Sequence, residues 1–412
     1  MAYISPNQTI SSTDDKSISL AVHRAKETGV NKVVIPRHNQ RTGKDLWVIE
    51  DTIRLPDDIE ILLDGAHLVL ADGTYCNIFA NERLGTDLGR TPEGEQKNIV
   101  LRGRDNAILD GGNYNGLSER TSFQDGRPHV SKNTPVFFVN VRNLLVENLR
   151  IVNQRWWGIT NVFVRDAVFR NISFRADLSR QDENGVHYPN ELPRNYGEIY
   201  VKNADGIDLR IGCHDILIEN ISGFTEDDTV ALTALGEFER AQGYTVSGRD
   251  TDIHDVKIRN VSADAYVCSI VRLLCENGNK LYNIEVDGVT DLQKKDGYQS
   301  QYAVRIGDCA YGRNPSVMGD MHSISVKNVV SRARVAVGLC KTLKDSTVEN
   351  VTVLEGGQVG FGIYGLDRAP AQVENCTVRN ILCAGAGSVP LSVEGLIGEL
   401  KDELTDAAGK GD

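Results

Sequence analysis

Short runs of alternating apolar and polar residues recur along most of this chain, and most carry an asparagine at their centre. Segments 144–151, 168–174 and 216–221 are early copies, and 256–261, 324–330, 346–353 and 376–381 are later ones. Alternation with a period of two predicts half-buried strands. The asparagines at 148, 171, 220, 260, 328, 350 and 380 are 23, 49, 40, 68, 22 and 30 residues apart. The shortest gaps set a unit of 22 to 23 residues, and the longer ones hold two or more units or loop insertions. A unit of that length, with one polar bend per turn, predicts a chain that coils as a parallel β-helix. Asparagine tolerates left-handed backbone and can hydrogen-bond along the stack, so these residues are read as structural turns.

The first 70 residues predict a different element followed by the same kind of strand. Thr13-Asp14-Asp15 precedes apolar positions at Ile18, Leu20, Ala21, Val22 and Ala25, and Gly29 follows. That pattern predicts an N-capped helix within 10–30, closed by a glycine and covering the open end of the coil. Strands are predicted at 32–35, 47–50, 52–55, 59–63 and 67–70. The expected fold class is all-β, a single-stranded right-handed parallel β-helix with an N-terminal capping helix. It is expected to form one domain over 1–398, followed by a polar tail at 399–412. Two polar insertions, 113–133 and 175–195, interrupt the rhythm and are placed to wall a groove.

Composition agrees with a chain of many short strands and turns. Only 6% of residues are aromatic, with 39 glycines and a net charge of −12. That charge argues against nucleic-acid binding, which needs a basic face. No apolar stretch approaches a membrane span. The first residues lack the pattern of a secretory leader, which predicts a cytoplasmic protein if Met1 is the native start and leaves secretion open otherwise. The eight cysteines form no CxxC and no disulfide framework, so reduced, buried thiols are expected, without a zinc site.

The candidate chemistry lies between 203 and 232. Asp205 precedes the pair Asp227 and Asp228 by 22 and 23 positions, one coil in the predicted period. Neighbouring carboxylates resist joint ionisation, so one tends to keep a proton near neutral pH. Glycoside cleavage by acid and base needs such a pair. Glu226 adds a third acid, expected to raise a neighbour's proton affinity or line a sugar subsite. Trp156 and Trp157, taken as adjacent strand residues, would face opposite ways, so one is expected to offer a ring to a sugar. Solvated acids or a calcium site are the bland alternatives.

Asn203-Ala-Asp-Gly-Ile-Asp resembles the Asn-Thr-Asp-Gly-(Ile/Val)-Asp motif of polygalacturonases, glycoside hydrolase family 28. Thr225-Glu-Asp-Asp-Thr-Val-Ala is similar to their Gly-Asp-Asp-Cys-(Ile/Val), and Ile108-Leu-Asp-Gly-Gly112 to their Ile-Asp-Gly-Gln-Gly. The likeness spans roughly residues 10 to 385, and only the two carboxylate motifs are specific. It implies a right-handed β-helix and hydrolysis with inversion, without a metal or other cofactor. It casts Asp227 as general acid, with Asp205 and Asp228 orienting and deprotonating the water. Where the family has Gly-His-Gly, this chain has Tyr266 in place of the histidine; where it has Arg-Ile-Lys, Arg305 remains and Gly307 replaces the lysine. Tyr266 and Arg305 are therefore candidate substrate contacts, and His187 is a candidate replacement for the lost histidine. Losing the lysine removes a charge that would meet an anionic sugar, so a standard galacturonan substrate is not expected.

The expected partner is an oligo- or polysaccharide, and a homo-oligomer is compatible with the sequence. Two other readings stay open: a lyase, epimerase or intramolecular transferase on the same fold, and a non-catalytic glycan-binding β-helix.

Overall fold

The computed structural model describes residues 2–117, 128–176, 180–181, 187–188, 203–266, 268–291, 299–307, 314–364 and 371–403. The helix is present as Asp14–Glu27. Thr13 caps it by accepting the Lys16 N–H at 3.4 Å, and Gly29 follows in left-handed backbone at φ +68°. Ile18, Ala21, Val22 and Ala25 are buried on its inner face. The start of the helix is fixed by Asp14, which has no exposed surface. One carboxylate oxygen accepts Asn39 Nδ2 and Arg41 Nε, both at 2.7 Å, and the other accepts the Val48 N–H at 2.8 Å.

The strands stack in parallel, each in register with one from the next coil. Cα packing divides the chain into two compact units: 1–208 with 224–226 and 239–249, and 209–223 with 227–238 and 250–412. In the first, Lys32–Pro36 pairs with Ile59–Asp64, then Gln96–Arg104, Val136–Val152 and Ile159–Arg175. Two further faces are built from Trp47–Ile49, His67–Leu70 and Ile108–Asp110, and from Ile53–Leu55 and Phe79–Asn81. In the second unit, Val230–Ala234, Ser269–Cys275, Tyr302–Gly307, Val335–Cys340, Val359–Tyr364 and Val389–Glu394 form one ladder. Ile253–Ala265, Leu281–Asp291, Met321–Ser331, Thr342–Val353 and Ala371–Cys383 form another.

Every bend asparagine named above has φ between +53° and +58°. Within the first unit Asn171 donates to Asn148 at 2.9 Å; within the second Asn260 donates to Asn220 at 3.2 Å, Asn350 to Asn328 at 3.2 Å, and Asn380 to Asn350 at 3.1 Å. A second row of left-handed bends lies five residues earlier in each coil and was not evident in the sequence. It runs through Asn143 and Asp166, and later through Asp215, Asp255, Asn283, Ser323, Asp345 and Asn375. Several amide rows begin on aspartates, since a carboxylate accepts and does not donate. Asn98 donates to Asp58 at 2.6 Å, Asn283 to Asp255 at 3.2 Å, and Asn375 to Asp345 at 2.7 Å. Gly288 takes one bend at φ +83°, and the next asparagine, Asn328, turns to Asp287 at 2.7 Å.

The interior is aliphatic, with Val, Ile and Leu from every ladder buried. Among the described cysteines none is in a disulfide; six are buried and Cys383 is half-buried. Among the described residues, no helix is long and apolar enough to cross a membrane.

Candidate active site

The first unit holds Asp205, Glu226 and the tryptophan pair. Asp205 is 5% exposed and follows Asn203, whose φ is +55°. Its main-chain carbonyl accepts the Gly158 N–H at 3.0 Å and Gln154 Nε2 at 3.2 Å, tying the 154–158 bend to the Asp205 turn. Glu226 has no exposed surface. Its Oε2 accepts the Ala204 N–H at 3.2 Å while its own N–H donates to the Ala204 carbonyl at 3.0 Å. This reciprocal latch holds the Asp205 turn from below. The expected sugar subsite at Glu226 gives way to that structural role, because a carboxylate with no accessible surface presents nothing to a ligand.

Trp156 and Trp157 are also placed differently from expectation. They lie in a bend between the strands Val136–Val152 and Ile159–Arg175, so the alternation rule does not apply to them. Their rings stack on each other at 3.7 Å and 19°, and both are buried. Beside them Arg155, fully buried, donates to the carbonyls of Thr74 at 2.8 Å and Ala71 at 2.9 Å. Burial pulls this guanidinium down to about 10. Gly112 allows the close approach: at φ +64°, a Cβ there would lie 2.4 Å from the Leu70 carbonyl oxygen. The Ile108–Gly112 motif is a turn of the same kind. Asp110 accepts the Gly112 N–H at 2.8 Å and Asn153 Nδ2 at 3.1 Å, and meets His67 Nε2 at 3.0 Å. Burial works against its ionised form, but these bonds outweigh it and hold the carboxyl below its ordinary range.

His129 packs edge-on to Trp156 at 6.3 Å and accepts the Ser131 N–H at 3.2 Å. Burial, and then the nearby Lys132, lower its imidazole from 6.5 to about 4. The neutral form therefore belongs to the folded state and the unfolded chain takes the proton first. Stability should fall as pH drops from about 6.5 towards about 4, with no further loss from this group below that. In a histidine NMR titration the His129 signals should stay unmoved at pH 6; a midpoint near 6.5 would contradict the burial.

The second unit holds the acid pair. Asp228 is 3% exposed, and both of its oxygens accept: Oδ1 from the Ser269 N–H at 2.9 Å, Oδ2 from Arg272 Nη1 at 3.2 Å. The same Arg272 nitrogen lies 2.9 Å from Cys268 Sγ. Asp227 is half-buried; one of its oxygens, one from Asp228 and Cys268 Sγ all lie within 4.8 Å of one another. Burial first, then Asp228 and Asp227, push the Cys268 thiol far up, which keeps it protonated. Arg272 brings a guanidinium to these groups. It is an ion-pair residue buried against a candidate acid. No pattern in the strand Ser269–Cys275 distinguishes it from a surface arginine.

Arg305 lies beside Arg272 in the ladder register, stacks over the Tyr302 ring at 5.0 Å and reaches Cys268 Sγ at 3.8 Å. Tyr266 is buried just beyond the strand Ile253–Ala265. Gly307 has φ +79°, and a Cβ there would sit 3.0 Å from the Cys340 carbonyl oxygen. His187 falls in the short strand His187–Tyr188, and its side chain lies outside the described residues.

Stacked parallel ladders and polar bend rows define an all-β, right-handed parallel β-helix. No known family profile matches the sequence, and no curated protein matches it. Among solved structures the chain is similar, over 97% of its length, to a hyperthermoactive exopolygalacturonase from Thermotoga maritima, with 15% identity, 91% of that chain covered and a TM-score of 0.56. It is similar over 98% to the endo-xylogalacturonan hydrolase from Aspergillus tubingensis, with 15% identity, 95% of that chain and a TM-score of 0.53. It is also similar over 98% to PfbA, a surface adhesin of Streptococcus pneumoniae, with 11% identity, 92% of that chain and a TM-score of 0.54. Likeness at these identities establishes the fold.

Proposed function

We propose that this protein is a carbohydrate-active enzyme that hydrolyses a glycosidic bond in an oligo- or polysaccharide. Asp227 is the general acid, and Asp205 and Asp228 orient and activate the water. The observation that carries this reading is the pair at 227–228, in which a half-buried carboxyl stands beside a buried one held by Ser269 and Arg272. A fixed negative neighbour favours retention of the proton on Asp227. A carboxyl that keeps its proton near neutral pH can deliver it to a leaving oxygen. Asp205 enters through its motif, in which Asn203 and Glu226 set the turn. Similarity to an exopolygalacturonase and an endo-xylogalacturonan hydrolase supports the substrate class.

The charge of the sugar follows from Gly307. Left-handed backbone and the nearby Cys340 carbonyl make this position unsuited to the lysine of the resembled motif. With Arg305 as the cation left from that motif, homogalacturonan is expected to be a poor substrate, and a neutral or sparsely charged glycan a better one. Rapid turnover of homogalacturonan would refute this. Gly307→Lys is expected to cost about 1–3 kcal/mol of stability through backbone strain instead of restoring that activity.

The experiment that tests the hydrolase reading is incubation of purified protein with a panel of oligosaccharides, read by mass spectrometry. Hydrolysis adds one water across the products, whereas a lyase gives an unsaturated product that absorbs in the ultraviolet. The adhesin similarity favours one further reading, glycan binding without turnover. Under it no product forms, and Asp227→Asn leaves glycan affinity intact.

A further inference from the structure

One ladder of the second unit carries two glycines on its outer face, where the alternation of its strands calls for side chains. Val337, Leu339, Phe361 and Ile363 point inward and are buried. Between them stand Gly338 and Gly362, which face outward and continue, rung by rung, the position of Arg305. Glycine weakens a strand, and it is expected there where something must approach the backbone closely. Neither Gly338 nor Gly362 has a positive φ, so space and not backbone geometry calls for glycine. A tyrosine fills that space in each case. A Cβ on Gly338 would lie 2.6 Å from Tyr302 Cδ1, and one on Gly362 would lie 2.5 Å from the Tyr364 hydroxyl oxygen and 2.7 Å from its Cζ. Both tyrosines are half-buried, so each ring rests on the sheet and keeps part of its surface in solvent.

The rings continue directly from the acid pair. Asp228 accepts the Ser269 N–H at 2.9 Å, and Ser269 is in register with Tyr302 on the next coil. The Tyr302 ring reaches over Gly338 one coil further, and Gly362 with the Tyr364 ring comes on the coil after that. Three strand spacings separate Ser269 from that last coil, about 14 Å, the length of a short oligosaccharide. We propose that Tyr302 and Tyr364 are ring platforms of an extended glycan-binding face, which carries a sugar chain away from the acid pair along successive coils. A tyrosine pairs a rigid apolar face with a hydroxyl at its tip, which matches a sugar ring with apolar C–H faces and a hydroxylated edge. The platforms are uncharged and Arg305 stands over the Tyr302 ring at 5.0 Å, which fits a neutral or sparsely charged oligosaccharide of several units. A disaccharide held at the acid pair does not reach the second ring. The proposal rests on the hydrolase reading for its ligand class and deepens it, since it says where the chain beyond the cleaved bond lies.

The test reads binding apart from turnover. The full-length Asp227→Asn protein, in which turnover is slowed, is labelled with 13C on its tyrosine rings and followed by NMR. Tyr302→Phe and Tyr364→Phe variants assign the two signals. The protein is titrated with fragments of xylan, β-glucan, mannan and xylogalacturonan, each as a two-unit and a five-unit chain. At least one five-unit fragment is expected to shift both signals, and to bind about tenfold tighter than the two-unit fragment of the same glycan. Tyr302→Leu and Tyr364→Leu should each weaken that fragment about three- to tenfold, whereas the phenylalanine variants, which keep the ring, should stay within about threefold of the parent. A tyrosine that only packs on the sheet would cost melting temperature in the leucine variants and leave affinity as it is. The proposal is overturned if no fragment shifts either signal, or if the leucine variants bind as the parent does. Should the leucine variants not fold, the paired shifts decide it, because a five-unit fragment that binds without moving them overturns it equally. Products in the oligosaccharide panel with both tyrosines unmoved would end this proposal and leave the hydrolase reading standing. Shifted tyrosines without any product would do the reverse.

Discussion

Asp227→Asn is expected to lower turnover of an unactivated glycoside by at least about 10²-fold. The asparagine keeps the shape of the side chain and lacks only the proton that the leaving oxygen must receive. The loss should therefore shrink on a nitrophenyl glycoside, whose leaving group departs without protonation. Asp205→Asn and Asp228→Asn should impair both substrates alike, because water must be activated in either case. Steady-state rates of the three variants on the two substrates give a pattern that simple damage to the fold does not produce. Wild-type turnover of the natural substrate by Asp227→Asn would mean that the acid is another group.

The second large effect is expected in stability, in the first unit. Asp14 opens the helix Asp14–Glu27 and gathers Asn39, Arg41 and the Val48 N–H onto one buried carboxylate. Asp14→Ala leaves all three donors without that acceptor, and Arg41 without its buried counter-charge. Leaving a buried donor without its acceptor costs about 1–3 kcal/mol, and the partly exposed Arg41 adds little to that. Urea unfolding should show a lower midpoint for Asp14→Ala, with Asp14→Asn between it and the wild type. A change within about 0.5 kcal/mol, the usual range for surface substitutions, would show that the helix is decoration and not a fastening.

The sequence carried the fold where side-chain chemistry and backbone geometry coincide. The first five strands fall within a residue of their expected bounds and the helix lies inside its expected range, because caps and alternation are local. The asparagine row was legible since one residue type serves both the left-handed bend and the amide chain. The second row escaped notice because Asp215, Asn283, Ser323 and Asn375 fill equivalent bends with different side chains, and the position shows only in φ. Trp156 and Trp157 were misplaced for a related reason. The alternation rule holds for extended chain, and the residues between the two long strands bend, which lets two neighbouring rings stack.

At the candidate site the sequence named the carboxylates but not what holds them. Spacing and motif singled out Asp205, Asp227 and Asp228, yet Glu226 gave no sign that its carboxylate turns inward to the Ala204 N–H. Arg272 and Cys268 come from the coil after the acid pair, 44 and 40 or more residues along the chain. Contacts of that range depend on coil lengths that vary along the chain, so residue type alone cannot reveal them.

The amide rows also govern how such a chain can change length. A bend asparagine can offer one donor to the preceding coil and one acceptor to the following coil, so neighbouring rungs that both carry it meet through the same coupling. Excising 328–349 would bring Asn350, 22 residues on, to the position where Asn328 now meets Asp287. The coupling would be remade without any new partner. Removing half a rung would instead set an amide against a strand face and turn the buried aliphatic side chains outward. Growth and loss by whole turns are thus nearly neutral events for this architecture, and duplication within a gene can lengthen it as a ladder gains a rung.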